Sequence, residues 1–397
     1  MPIWHFLRQL ERCSMRKYII AGGVLIATLA FSGCGAVPDG TIAWEQQSAD
    51  SVVIENNHVK GELVENTVNI DADIEGIDKT DWKEYSVNVR KFEEDETMQI
   101  SHILLGDDFY LKRAYESAAS AVSDGSLVYN YEAGDGTKSV TVGSGRISLN
   151  SSKAIEQQYS SYFNPNGKIL EDDALKEIFP KEYIDGVDRQ ESINQFKKLC
   201  EDMSIGISDN IRIYALDKDS ANNVRKENEW LGRDKNGEYK PDVTAEDEVY
   251  CIIAPLQIEG VELPVSNTSS STGSSSASVV MAIIGRNGLS YFTATGLYET
   301  KDEKEVTEIH NINEVLDYIK TNYQYLEGQN QKITFSNIEL KYIARYYITD
   351  NLYKIIPTYV CTKDTTIVSE KDGERTERVN TEHLYIDAQN LTSFSGR

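Results

Sequence analysis

No segment of the 397-residue sequence carries the roughly 20 consecutive apolar residues that a bilayer-spanning helix needs. The longest apolar run, Tyr18 to Phe31, has 14 residues, so no permanent transmembrane helix is expected. Histidine is scarce. Only His58, His102, His310 and His383 lie beyond residue 33, and no two stand at a helical ligand spacing such as i, i+4, so a zinc centre is not expected. The cysteines are Cys13, Cys34, Cys200, Cys251 and Cys361, and the three beyond Cys34 are too few and odd in number for a dense disulfide framework. Cys200 and Cys251 fall in apolar patterns, where a free thiol behaves as a small buried hydrophobe, so no essential disulfide is expected.

The sequence is equally poor in the patterns that carry chemistry. Neither Gly-x-Gly-x-x-Gly nor Gly-x-x-x-x-Gly-Lys followed by Ser or Thr occurs, which disfavours nucleotide binding. Gly143-Ser144-Gly145 lacks the one-residue spacers of a nucleophile elbow. Asp71-x-Asp73-x-Glu75-Gly76 begins like a calcium loop, but Trp82 stands where that loop needs a bidentate carboxylate, and the acids alternate with apolar residues as the solvated face of a strand would. Asp217-x-Asp219 reads as a turn. No catalytic residue, metal ligand set or cofactor is therefore expected. With 64 acidic side chains some carboxylate pair can always meet in a fold, so abundance alone does not point to glycoside hydrolysis.

What the chain does have is negative charge. Its formal charge is −24, and the 36 basic against 63 acidic side chains beyond residue 33 give −27. Such a surface repels nucleic acid phosphates and anionic headgroups, so neither is expected as a partner. The 40% hydrophobic content is that of a chain with a core.

Arg16 and Lys17, just after Met15, precede the apolar run, and Ser32-Gly33-Cys34 closes it. A positive start, a short apolar middle and small residues at a cut are the proportions of a secretory signal, and Met15 is a second candidate for initiation. Phe31-Ser32-Gly33-Cys34 resembles the lipobox of bacterial lipoproteins. That resemblance implies cleavage between Gly33 and Cys34 and attachment of diacylglycerol, with palmitate-type chains, to the Cys34 thiol. Several acyl chains at one point make anchoring stable at about 0.8 kcal/mol per buried methylene. The expected location is the outer, extracytoplasmic face of the cell membrane.

Beyond the anchor the expected fold class is α+β, with tandem lobes that each pack a helix on an antiparallel sheet. The expected division is a signal peptide at 1–33, a lipidated disordered tether at 34–66, an N-terminal lobe and connector at 67–190, a middle lobe at 191–300 and a C-terminal lobe at 301–397. Val68 to Glu75 alternates with the period of a half-buried strand. Asp95 to Leu105 reads as a helix, and Leu127 to Tyr131 is expected to pair with Ser139 to Leu149. Asp188 with Glu191, and Asn311 with Glu314, spell capping boxes for helices whose stripes carry Phe196, Cys200 and Met203, and Val315, Leu316 and Ile319. Strands are expected over 211–216, 249–258, 279–284, 289–297, 333–346, 352–361 and 383–388, with Pro357 placing its strand at an edge or bulge. The Ser-rich stretch 266–278 reads as a long hairpin loop.

The block from Ile312 to Leu391, with its leading helix, Ile356-Pro357-Thr358-Tyr359 and Tyr385-Ile386-Asp387-Ala388, resembles a PepSY-type lobe, although Gln389-Asn390 replaces the usual Thr-Gly turn. Val68 to Glu75 behind a lipobox and tether is also similar to uncharacterised clostridial lipoproteins. The resemblance implies a non-enzymatic protein-binding, peptide-binding or regulatory role in the cell envelope. Tyr342, Tyr346, Tyr347, Tyr353 and Tyr359 are expected to offer amphipathic contact area or to cap a sheet. The alternatives are a solute-binding lipoprotein of a transporter and a hydrolase of wall or protein.

Overall fold

The computed structural model describes residues 52–65, 67–116, 127–153, 156–163, 172–233, 236–265, 268–270, 273–275, 278–324, 331–347, 352–371 and 374–395. Gly33 and Cys34, with the signal-peptide and cleavage readings attached to them, lie outside these residues.

The chain is a mixed α+β protein built on two large sheets. It opens with strands β1 (Val52–Glu55), β2 (His58–Val64), β3 (Val68–Glu75) and β4 (Lys83–Val89), then helix α1 (Glu94–Leu105). Strands β5 (Phe109–Glu116), β6 (Leu127–Ala133), β7 (Lys138–Gly143) and β8 (Arg146–Ser151) follow, then α2 (Glu156–Phe163), α3 (Asp172–Ile178) and α4 (Arg189–Asp202). Next come β9 (Arg212–Leu216), α5 (Lys218–Glu227), α6 (Glu229–Gly232) and β10 (Val249–Pro255). Two short hairpins, β11 (Gln257–Ile258) with β12 (Val261–Glu262) and β13 (Thr268–Ser270) with β14 (Gly273–Ser275), precede β15 (Val279–Gly285), β16 (Gly288–Thr295) and β17 (Tyr298–Glu305). Helix α7 (Ile312–Tyr323) leads into β18 (Gln331–Tyr347), β19 (Leu352–Lys371), β20 (Glu374–Asp387) and β21 (Ser393–Ser395).

The eight-stranded sheet has the order β5-β6-β7-β8-β16-β15-β10-β9. β10 is buried along its whole length because both faces are covered. Tyr250, Ile252 and Ala254 meet Ile100 and Leu104 of α1 and Phe196, Cys200 and Met203 of α4. Cys251 and Ile253 meet Tyr159 and Phe163 of α2, Leu175 of α3 and Ala221 of α5. A strand covered on both sides has no polar face to alternate with, which is why Val249-Tyr250-Cys251-Ile252-Ile253-Ala254 is a continuous apolar run. Each such buried large side chain contributes about 1.5–3 kcal/mol.

The nine-stranded sheet has the order β1-β2-β3-β18-β19-β20-β21, with β4 pairing both β19 and β17. Its main core joins Val59, Leu63, Ile70 and Ile74 from the start of the chain to Val315, Leu316 and Ile319 of α7 and Phe335, Tyr359 and Ile386 near its end. The sheets do not follow the linear order of the expected lobes: β1 to β4 join β17 to β21, while β5 to β10 with β15 and β16 build the other sheet. The sheet is also not wholly antiparallel, since β3 runs parallel to β18, Ile70 lying beside Phe335. A strand period specifies which face is buried but not which distant strand becomes the neighbour.

Several local expectations need correction. The tether was expected to reach residue 66, but Val52–Glu55 and His58–Val64 pair as a hairpin. The strand expected over 139–149 is broken at Ser144 and Gly145, both at positive φ (48° and 65°), into the β7–β8 hairpin. Asp217 caps a helix: its side chain accepts from Asp219 N and Ser220 N at the start of α5. Pro357 is neither at an edge nor in a bulge. On one side it pairs with Tyr342 of β18, and on the other it occupies the gap where β20 ends at Thr358 and β4 begins at Ile355, so its missing N–H faces no neighbouring strand. Tyr342, Tyr346 and Tyr359 are buried, with the Tyr342 ring tilted against Trp82 at a centroid distance of 4.8 Å, so they build the core rather than a contact surface.

Candidate functional site

The sequence-predicted acids of β3 are where the alternation placed them. Val68, Ile70, Ala72 and Ile74 are buried while Asp71, Asp73 and Glu75 are exposed. Across the ladder, His58 faces Asp73 and Lys60 faces Asp71. His58 Nδ1 lies 2.8 Å from Asp73 Oδ1 and Nε2 3.0 Å from Asp71 Oδ1, while Lys60 Nζ donates to Asp71 Oδ2 at 2.6 Å. The Asp73 hydrogen bond raises the His58 imidazole above its ordinary value; partial desolvation opposes it and Asp71 reinforces it. This is a charge-paired outer face. Among the described residues no group of three or more His, Cys, Asp or Glu side chains is placed to hold a metal ion.

The remaining histidines do not gather into a site. His102 lies beside Asp107 in the last turn of α1, His310 beside Glu314 at the entry to α7, and His383 beside Thr362 and Tyr385 on β20. Ser144 is a hairpin-turn residue. Asp387, in Tyr385-Ile386-Asp387-Ala388, is buried and accepts from the Gln389 N–H at 2.9 Å and from Asn390 Nδ2 at 3.2 Å, so it caps a turn. Cys200, Cys251 and Cys361 are free and buried, and burial alone pushes the Cys200 and Cys361 thiols up to about 12.

A cavity lies elsewhere, between the β1–β2 hairpin and α7. It is a groove of about 560 Å³ lined by Val52, Ile54, Leu63, Ile312 and Leu316, with Glu62, Asn313, Asp317 and Lys320 also on its walls. One wall is a strand edge. β1 has a single neighbour, β2, among the described residues, and its pairing has no register shift. Asn56 and Asn57, at φ 52° and 58°, make the two-residue turn that joins β1 to β2. Such a turn matches strand twist only when both residues tolerate positive φ, which asparagine does. Period two then puts Val52 and Ile54 on the groove side, and Val53 and Glu55 on the side of His58 and Lys60.

The other wall is α7, held by its capping box. Asn311 Oδ1 accepts from Asn313 N at 3.0 Å and Glu314 N at 3.2 Å, and Glu314 Oε2 accepts from Asn311 N at 2.8 Å. The Asn311 N–H, with His310 beside it, holds the Glu314 carboxyl below its ordinary value. Val315, Leu316 and Ile319 seat the helix in the sheet core, leaving Ile312 half-buried at the groove. The Tyr359 hydroxyl donates to His310 O at 2.7 Å, and His310 N donates to Ala388 O at 2.9 Å, so the entry of α7 is tied to the floor of the sheet.

Sequence reasoning found α7 and missed β1. The available signal was the β-branched run Val52-Val53-Ile54 followed by Asn56-Asn57 and the apolar positions Val59, Leu63 and Val64. The polar residues before it drew the expected tether too far.

No known family profile matches the chain. No curated protein is similar to it in sequence. Among solved structures, the chain is similar in fold to an uncharacterized protein from Eubacterium rectale, with a TM-score of 0.58 at 14% identity, covering 86% of this chain and 94% of that one.

Proposed function

We propose that the chain is a lipoprotein, anchored through Cys34 at the outer face of the membrane, whose folded part binds an extended segment of a protein or peptide partner without catalysing a reaction. The observation that carries the binding half is the groove between an apolar edge strand and a helix. A peptide laid along such an edge extends the sheet with its main chain and places alternate side chains in the cleft. Ile54 supports this, being 37% exposed in an edge strand that has no lysine, proline or bulge to discourage pairing. The helix-then-strands order of α7, β18, β19 and β20 supports the resemblance of 312–391 to a PepSY-type lobe, and the anchoring half rests on the lipobox-like Phe31-Ser32-Gly33-Cys34.

The test has two arms. Labelled palmitate is expected to enter the wild-type protein and not Cys34→Ala. A photo-crosslinking residue placed at Asn313 in intact cells is expected to trap a discrete partner, whereas one at the exposed Tyr239 on the other sheet's side is not. Equal labelling of both proteins removes the anchor, and identical crosslinks from both positions remove the groove.

A further inference from the structure

The groove admits a sharper statement about its occupant, one that rests on the peptide-binding reading just given. We infer that it takes an extended, net basic peptide segment bearing two apolar side chains separated by one residue, hydrogen-bonded to the outward edge of β1.

The hydrogen-bond phase of the edge follows from the register. Asn57 O accepts from Ile74 N at 2.7 Å, so odd-numbered residues of β2 turn their main-chain groups toward β3. Even-numbered residues turn theirs toward β1, which makes Glu55 with His58 and Val53 with Lys60 the bonded pairs. The N–H and C=O groups of Val52 and Ile54 therefore point away from β2, to the edge where no other described strand pairs. The same two residues put their side chains on the groove wall. An added antiparallel strand bonds to Ile54 and Val52, and its residues opposite them carry their side chains over the groove toward Ile312 and Leu316. The residue between them faces the other side, next to Val53. That alternation is the apolar-x-apolar pattern.

Charge selects among such segments. The groove walls hold Glu62 and Asp317 against one Lys320, on a chain with a formal charge of −24. The N-terminus of α7, which would otherwise favour an anion, is already met by its own Glu314. A basic segment is thus drawn in, and an acidic one repelled. The same argument disfavours a second copy of this chain, which would bring an equal negative charge to the edge. At one end of the other sheet, β5 is guarded instead: it is bulged between Leu111 and Arg113, with Lys112 at the bulge paired to Glu132.

The experiment uses the mature chain carrying Cys34→Ala and fluorescent peptides of one length: a Lys-flanked Val-Thr-Val segment, its Glu-flanked counterpart, and a Lys-flanked Thr-Val-Thr segment. The first is expected to bind at least about tenfold more tightly than either of the others. Ile54→Pro deletes the outward N–H without removing a β1–β2 bond and is expected to weaken it about five- to tenfold. Asn313→Trp, which fills the groove from an exposed position, is expected to weaken it further, and Val53→Thr, on the opposite face and without a change of charge, to leave it within twofold, with circular dichroism of all three variants unchanged. If the Glu-flanked peptide binds best and Asn313→Trp abolishes it, the charge inference is wrong while the groove reading stands. If Ile54→Pro binds as the wild type does, the edge-pairing inference is wrong. If no peptide's binding depends on Asn313 or Ile54, both readings fall.

Discussion

Leu297 donates its N–H to Gly145 O at 3.0 Å, and around this bond the two sheets are joined. Leu297 O accepts from Arg90 N at 2.9 Å, and Arg90 O accepts from Gly145 N at 2.9 Å, closing a ring of three backbone bonds. Arg90 leaves the nine-stranded sheet after β4, Leu297 returns to it before β17, and Gly145 is the tip of the β7–β8 hairpin in the other sheet. Gly145 sits at φ 65°, and a Cβ there would fall 2.8 Å from Leu297 O and 2.7 Å from Val89 Cγ1.

Gly145→Ala therefore combines left-handed backbone strain with a clash against backbone. The expected loss is about 2 kcal/mol or more, against about 1 kcal/mol for Gly136→Ala, whose φ is 70° but whose Cβ would meet nothing within 4 Å. Denaturant unfolding of the two variants checks the difference. Equal losses would mean that the ring does not hold the sheets together.

The three buried thiols predict a kinetic signature. Burial raises Cys200 and Cys361 to about 12 and Cys251 well above its ordinary value, so almost no thiolate is present at pH 8. None of the three is expected to react with a thiol reagent in the folded Cys34→Ala chain, and all three are expected to react in denaturant. Mass spectrometry after a timed alkylation reads this directly.

His58 gives a pH dependence of defined sign. Its folded value lies above the unfolded value of about 6.5, because its ring meets Asp73 and Asp71. The stability it contributes is present below the unfolded value and is lost as pH rises through the folded one. An imidazole titration by NMR should show a midpoint above that of a free histidine, and Asp73→Asn should lower it. A midpoint unmoved by Asp73→Asn would contradict the pairing.

Tyr359→Phe tests how α7 is held. The substitution removes the hydroxyl that reaches His310 O, leaving that carbonyl one donor short, and about 1–2 kcal/mol of stability is expected to go with it. Because His310 leads into the Asn311 cap, peptide affinity at the groove should fall as well, while Tyr250→Phe, which loses a hydrogen bond from Ile184 N in the other sheet, should cost stability without touching the groove.

What was legible in the sequence was local. The Asp188 and Asn311 caps, the buried stripe of α7 and the alternation of β3 each follow from neighbours within a few residues, and each stands where its pattern put it. What was not legible depends on partners far along the chain. Nothing in Val68 to Glu75 announces that its neighbour is β18, more than 250 residues away, and nothing in Pro357 announces that two strands would share one side of β19 and leave a gap for it. β1 was lost for the opposite reason: four residues are too short for a period, and only the β-branched Val52-Val53-Ile54 and the Asn56-Asn57 turn behind it marked them as a strand.

Hydrogen exchange at a single amide tests the binding account most directly. In the free chain the Ile54 N–H, turned to the open edge, should exchange quickly, while the Val53 N–H, bonded across to Lys60, should be slower. Saturating basic apolar-x-apolar peptide should slow Ile54 at least about tenfold and leave Val53 unchanged. An Ile54 amide that exchanges at the same rate with and without bound peptide would contradict strand addition at β1.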